Sequence, residues 1–464
     1  MYKLKNKLHT IFALNGWKIF KVFIAMAIVA IIAMIYIPAL MPNARALYWR
    51  VRLNTLNRQH FLYDFDYMVR VLEENFPYFD LVERTRGVDI RLLAEEARQL
   101  LADPNTYIPN AYVFYQFLRE EFFMPIGGVG HLQLISAQGW YQDMMQMMLG
   151  SSWYYYGYWW YEVAQAYLRP QSVTFYRNFP DNNHPPARRG VMVGVEIIEE
   201  GHIGLISINH LLVTDTYSTT PPFRGRYATR VRAFLRYAAD FEHMIIDIRG
   251  NPGGLPDFFI HSLAPYMTLV PMRITQYVFY TATPSNQRIV DATLTNRRAQ
   301  RGLGVIDFSM VRESAWENMP QYLHDFDNVI YIMTTVFRRQ NLTPAITPPH
   351  TWSYDGSFRG KIWMLTDEMT ASAAEQVAWI SYYTNFATIV GESTMGVPTA
   401  INISMSNRVS LPNTGIMFRY DFGYAVDSQG RYFEGRGVAP HYFNRPGLDA
   451  LETVLEMIKE RSYE

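Results

Sequence analysis

The chain has 464 residues, more than one hydrophobic core usually organises, so two or three structural units are expected. Hydrophobic residues make up 49% and charged residues 18%, which excludes a disordered or collagen-like chain. Lys+Arg and Asp+Glu are each 42, which gives no field for nucleic acid, and the absence of cysteine removes disulfides, thiolate nucleophiles and Cys-ligated zinc.

Five of the seven lysines (Lys3, Lys5, Lys7, Lys18, Lys21) lie in the first 21 residues, directly before the uncharged run Val22 to Leu40. At a rise of about 1.5 Å per residue, that run just crosses a hydrocarbon core of ~30 Å. The expectation is a short basic leader over 1–21 on the cytoplasmic side and a single transmembrane anchor over 22–40. Positive charge stays inside, so the remaining chain faces outward. A cleaved signal peptide is the competing reading, but its apolar core would be shorter, ~7–15 residues. The only Ala-x-Ala pattern, Ala44-Arg45-Ala46, lies beyond a proline and an asparagine. A buried helix of a soluble core is the third possibility.

Residues 41–59 read as a linker and 60–128 as an N-terminal helical unit. Phe65, Met68, Val69, Leu72 and Phe76 recur at helical spacing, and Ile90 to Leu101 sets its leucines opposite its charges. A third helical run covers Ala111 to Phe123. Residues 129–464 read as the main body. Trp153 to Tyr161 holds eight aromatics in nine residues, which suits packing, a membrane interface or a substrate-gripping lid. From about 191, short apolar strands alternate with helices: strands at Ile203–Ile208, His243–Ile248, Lys361–Leu365 and Ala387–Val390, helices at Tyr227–Ala239 and Ala371–Tyr383. This alternation predicts an α/β core of βαβ units. Residues 282–350 look inserted, and Leu448–Ile458 is an amphipathic terminal helix.

Two turns carry chemistry. The strand ending at Asp247-Ile248 runs into Arg249-Gly250-Asn251-Pro252-Gly253-Gly254, where glycines let backbone N–H groups converge on an anion. A plain strand–turn–helix corner would need the same glycines. Further on, Thr370-Ala371-Ser372-Ala373-Ala374-Glu375 opens a helix, placing Ser372 beside free N–H groups and the positive end of the helix dipole. The same residues would also make an ordinary capping box, with Ser372 as cap and Glu375 three residues on.

In the order DIRGNPGG, TASAAE, ATIVGESTMGVPT and FEGRGVAPHYF, these segments resemble the S41 peptidase family, over roughly residues 191 to 460. That family includes the C-terminal processing (tail-specific) proteases and the tricorn-type proteases. The resemblance implies a ClpP/crotonase-like α/β fold, Ser372 as nucleophile, and an oxyanion hole from the amides of Gly253 or Gly254 and of Ala373. Processing proteases use a Ser–Lys dyad whose lysine follows the G-x-x-T-x-G segment. Here that segment is Gly391 to Gly396 and the next residue is Val397. Lys361, eleven residues upstream of Ser372, starts at the far end of its strand, and Lys459 sits in the tail. The tricorn-like branch instead uses a histidine and a glutamate, which places His131 (in GGVGHL) and Glu434 (in FEGRGVAP) in those roles. Imidazole titrates near neutrality and can take a serine proton, and a carboxylate fixes its tautomer. A structural histidine and a solvated glutamate are the plain alternatives. Glu375 is a candidate supporting residue one helical turn from Ser372.

The expected function is a membrane-anchored serine peptidase acting on peptides or proteins outside the cytoplasm, with no metal or cofactor. The alternative is a catalytically inactive peptide- or ligand-binding protein on the same fold. No PDZ-like carboxylate-binding loop is recognisable between residues 132 and 190.

Overall fold

The computed structural model describes residues 48–49, 51–148, 158–179, 192–211, 226–254, 256, 258–268, 272–295, 303–305, 331–337, 358–396, 406–427 and 435–461. The apolar run 22–40, residues 153–157 of the aromatic stretch, most of the insertion 282–350, Val397 and Glu434 lie outside them. Among the described residues no helix is long and apolar enough to cross a membrane.

The N-terminal helices are Arg58–Asn75, Phe79–Arg86, Ile90–Ala102 and Ala111–Leu118. The last continues through a π-helical turn, Arg119–Phe123, to Met124–Ile126. Asn57, Asp89 and Asn110 cap three of them by accepting backbone N–H bonds, the sequence-local reason they start where they do. Their buried faces (Phe61, Phe65, Met68, Phe114, Phe122) belong to the same hydrophobic core as the strands that follow, a core running from Leu56 to Val438.

Thirteen strands are described: β1 (Gln133–Leu134), β2 (Val193–Glu199), β3 (Ile203–Ile208), β4 (His243–Asp247), β5 (Met272–Phe279), β6 (Leu303–Val305), β7 (Tyr331–Phe337), β8 (Lys361–Thr366), β9 (Thr388–Gly391), β10 (Ser406–Ser410), β11 (Met417–Asp421), β12 (Tyr424–Asp427) and β13 (Tyr442–Phe443). They form a six-stranded sheet in the order β13-β9-β8-β4-β3-β2, a three-stranded sheet β1-β11-β10 and a four-stranded sheet β12-β5-β7-β6. In the first sheet β3, β4, β8, β9 and β13 run parallel and β2 closes it antiparallel.

Strands of this parallel sheet are apolar on both sides because both faces are covered. Ile203, Leu205, Ile245, Trp363, Leu365 and Val390 pack against the C-terminal helix Ala450–Arg461 through Val454 and Ile458. Ile206, Ile208, Met244, Ile246, Met364 and Ile389 face the main core, which also takes in Val377, Ala378 and Ile380 of the helix Ala373–Thr384. The inserted region is not a loose appendage. It contributes the helix Pro284–Thr295 and strands β6 and β7, and β7 pairs with β5 from Met272↔Phe337 to Val278↔Tyr331.

Candidate active site

Ser372 follows β8 by a five-residue turn and stands at the N-cap of the helix Ala373–Thr384, with φ 54° and ψ −121°. Its side chain does not cap the helix, so the hydroxyl is left for other work. Positive φ strains a residue bearing a Cβ, at roughly 1–3 kcal/mol. Among the described residues only His131, Ser372 and Asn385 adopt it without being glycine. Two of these three meet. The Ser372 Oγ lies 3.2 Å from His131 Nε2, although 241 residues separate them.

The histidine is delivered by a glycine-built loop. Gly127, Gly128 and Gly130 all have positive φ, and a Cβ on Gly130 would stand 2.6 Å from the Tyr78 ring and 2.7 Å from that of Phe76. Only glycine fits so closely under those rings. Beyond the loop, β1 pairs antiparallel with β11, Gln133 opposite Arg419 and Leu134 opposite Phe418. Carried two residues back, that register sets His131 opposite Asp421. The Nδ1 of His131 lies 2.6 Å from Asp421 Oδ2, in an environment where the side chains are only 13% and 5% exposed. An ionised carboxylate accepts and cannot donate. The proton therefore belongs on Nδ1, and Nε2 turns its lone pair toward the serine hydroxyl.

The glycine turn abuts this dyad from the other side. Asn251, fully buried, donates from Nδ2 to the Ile208 carbonyl at 2.7 Å, and its own carbonyl accepts the Ala371 N–H at 3.0 Å. Asp367 accepts the Gly250 N–H at 2.9 Å, tying the turn after β4 to the turn after β8. As a result Gly253 sits against the nucleophile: a Cβ there would stand 2.6 Å from Ser372 Cβ and 2.8 Å from the Ala373 nitrogen. Below the helix, buried Glu375 accepts from Thr394 Oγ1 at 2.6 Å and from the Gly396 N–H at 3.1 Å. The Met395 N–H in turn donates to the Thr370 carbonyl at 2.9 Å.

The model for peptidase family S41 matches residues 202–443, just over half of the chain. This chain belongs to family S41. Its fold is similar to that of mature CPAF complexed with lactacystin, at 16% identity and a TM-score of 0.50, covering 87% of this chain and 97% of that one. It is also matched by a candidate peptidase from Parabacteroides merdae (14% identity, TM-score 0.48, 85% and 96% covered). A third match is the photosystem II D1 C-terminal processing protease (16% identity, TM-score 0.31, 57% and 51% covered).

In this S41 chain the geometry brings together Ser372, His131, Ala373 and the Gly253-Gly254 turn, as the sequence reading expects. Three details differ from it. The carboxylate on His131 is Asp421, which the sequence reading passes over; Glu434, expected there, lies outside the described residues. The Gly253 N–H is already donated to Asn251 Oδ1 at 2.9 Å, which removes it as an oxyanion donor. The N–H groups of Gly254 and Ala373 have no acceptor among the described residues. Finally, Ser372 and Glu375 form no capping box: the Ser372 side chain makes no cap bond, and Glu375 holds the Thr394–Gly396 loop. Lys361 stands at the start of β8, with its Nζ 3.9 Å from the centre of the Trp363 ring. A signal for Asp421 did exist. It is the one acid in the stretch Ile416 to Tyr424, where Arg419 is the only other charge, and a buried carboxylate there demands a partner.

Proposed function

We propose that this chain is a serine peptidase working through a Ser372–His131–Asp421 triad. The observation that carries the reading is the doubly bonded imidazole: His131 contacts Ser372 Oγ through one nitrogen and Asp421 Oδ2 through the other. The roles follow from the contacts. His131 Nε2 takes the hydroxyl proton as Oγ attacks the scissile carbonyl carbon. The carbonyl oxygen becomes an oxyanion, facing the Gly254 and Ala373 N–H groups and the positive end of the helix Ala373–Thr384. Asp421 stabilises the imidazolium that forms. His131 then returns the proton to the leaving amine nitrogen, the C–N bond breaks, and an acyl ester remains on Ser372. Water, deprotonated by the same nitrogen, attacks the ester and regenerates the hydroxyl. The strained backbones of Ser372 and His131 hold both reacting atoms in place before substrate arrives.

The test is a fluorophosphonate probe, which reacts only with an activated serine. Labelling of the full-length chain that disappears in Ser372→Ala supports the reading. No labelling of a folded chain would refute it and favour a binding protein on the same fold.

We further propose that the catalytic body lies outside the cytoplasm, held by a membrane anchor over residues 22–40. The support is the lysine cluster before that run. Carbonate extraction that released the intact chain into the soluble fraction would overturn the anchor.

A further inference from the structure

Beside the His131 loop lies a cavity of about 580 Å³ that the triad itself does not use. Its size falls in the ~300–1,000 Å³ range of ligand pockets. Most of its wall comes from two elements already described, and Phe179 adds to it from elsewhere in the chain. One is the helix Ala111–Leu118 with its π turn, which supplies Tyr115 and Arg119; the other is the segment around His131, which supplies Gly127, Gly128 and Gln133. Among the described lining residues Arg119 carries the only charge, and there is no carboxylate. Arg119 makes no ion pair with a described residue. A second guanidinium, that of Arg86, packs over Gly127, where a Cβ would stand 3.4 Å from its Nε. The π turn bears on this directly. Inserting one residue into the helical ladder re-aims the side chains that follow, and such turns concentrate at functional sites.

The cavity also adjoins a strand edge with no neighbour among the described residues. There β1 lies at the end of its sheet, with β11 on one side only. The Ile135 N–H donates to the Met417 carbonyl at 2.8 Å, so in an antiparallel ladder the 133/419 and 135/417 pairs are the hydrogen-bonded ones. Leu134 between them turns its N–H and carbonyl away from β11, toward the open edge. An extended peptide laid along that edge would be bonded through its main chain three residues from His131.

We infer that this cavity is a specificity subsite for an acidic side chain of an extended peptide substrate, with Arg119 as the residue that reads the carboxylate. The inference rests on the peptidase reading above and names the substrate class it takes. A guanidinium suits a carboxylate because two parallel N–H groups match its two oxygens. The aromatic wall of Tyr115 and Phe179 covers the aliphatic part of the side chain, and the Tyr115 phenol, pushed up by burial, stays protonated as an additional donor.

The experiment digests a mixed peptide library with the full-length chain in detergent and maps the cut sites by mass spectrometry. For wild type, Asp and Glu should be enriched at one fixed position relative to the scissile bond. In Arg119→Gln the ratio of kcat/KM for a Glu peptide over its Gln twin should fall about tenfold or more, through KM rather than kcat, the scale of a lost hydrogen bond to a charged group. In Arg119→Glu the preference should turn toward Lys and Arg. Acidic enrichment that is absent in an active wild type, or undiminished in Arg119→Gln, overturns this inference and leaves the peptidase reading standing. A wild type that cuts nothing and takes no fluorophosphonate label overturns both.

Discussion

Replacing Gly253 by alanine tests whether the glycine turn sets the position of the nucleophile. The new methyl would lie 2.6 Å from Ser372 Cβ and 2.8 Å from both the Ala371 carbonyl oxygen and the Ala373 nitrogen. Non-bonded carbons settle at about 3.5–4.0 Å, so the turn and Ser372 must part by about 1 Å. Two of the three obstacles are backbone atoms and cannot swing aside. A displacement of about 1 Å at a catalytic group costs on the order of 10²-fold in rate. The φ of +102° adds backbone strain, about 1–3 kcal/mol, which lowers the melting temperature without touching the chemistry. The assay is kcat/KM on a cleaved peptide together with the rate of fluorophosphonate labelling, each beside a thermal melt. Gly250→Ala is the control, because Gly250 shares the positive φ (+66°) but has nothing within 4 Å of its would-be Cβ. The expected result is a loss of about 100-fold in Gly253→Ala, with Gly250→Ala losing stability and far less rate. Equal losses in the two variants, or a folded Gly253→Ala with full activity, would refute the argument.

Asp421→Asn should lower turnover by about 10³–10⁴, since an amide can donate to Nδ1 and set the wrong tautomer, while Glu434→Gln should cost far less; peptide turnover of both variants checks this. Lys361→Ala should keep its turnover, and loss of the ring contact with Trp363 should cost about 0.5–1 kcal/mol in a denaturation curve; loss of activity would restore a lysine base. Asp64 accepts from the Asn413 and Thr414 backbones and both their side chains, joining the helix Arg58–Asn75 to the turn between β10 and β11. Asp64→Ala should cost about 2–4 kcal/mol in denaturant unfolding, because buried donors are left unmet. Burial pushes the Asp64 carboxyl up, so the folded chain holds its proton more tightly than the unfolded one. The wild-type advantage over Asp64→Ala is therefore largest in acid and shrinks as pH rises through the folded value; an advantage that grew with pH would contradict this.

The parts of this molecule that repeat locally were legible in its sequence. Ile203–Ile208 is the strand its short, mainly apolar run predicts, and Ile90–Ala102 the helix its leucine spacing predicts. Ser372 and His131 were legible because each lies in a short glycine- or alanine-rich motif with a family resemblance. Asp421 stood out only as an isolated acid; its pairing with His131 was not legible, because it comes from the register of β1 on β11, and no local period records which residues of two distant strands stand opposite. Gly253 was half legible. Its backbone freedom shows in the sequence, but the capture of its N–H by Asn251 depends on how the turn folds back. The order of the inserted strands was hidden for the same reason, since β5 and β7 are far apart in the chain and pair antiparallel.

The spread of the proposed triad along the chain would also set when such a site can exist. Of the three residues His131 is synthesised first, Asp421 comes 290 residues later, and Ser372 lies between them. At about 5–20 residues per second, roughly 15–60 s pass between the histidine and its carboxylate leaving the ribosome. Until then the imidazole has no anchor on Nδ1, and β1 has no β11 to hold the loop that carries it. A nascent chain therefore carries no assembled nucleophile with which to cut itself or its neighbours. In the proposed mechanism, competence therefore waits until β11 has been made and paired with β1.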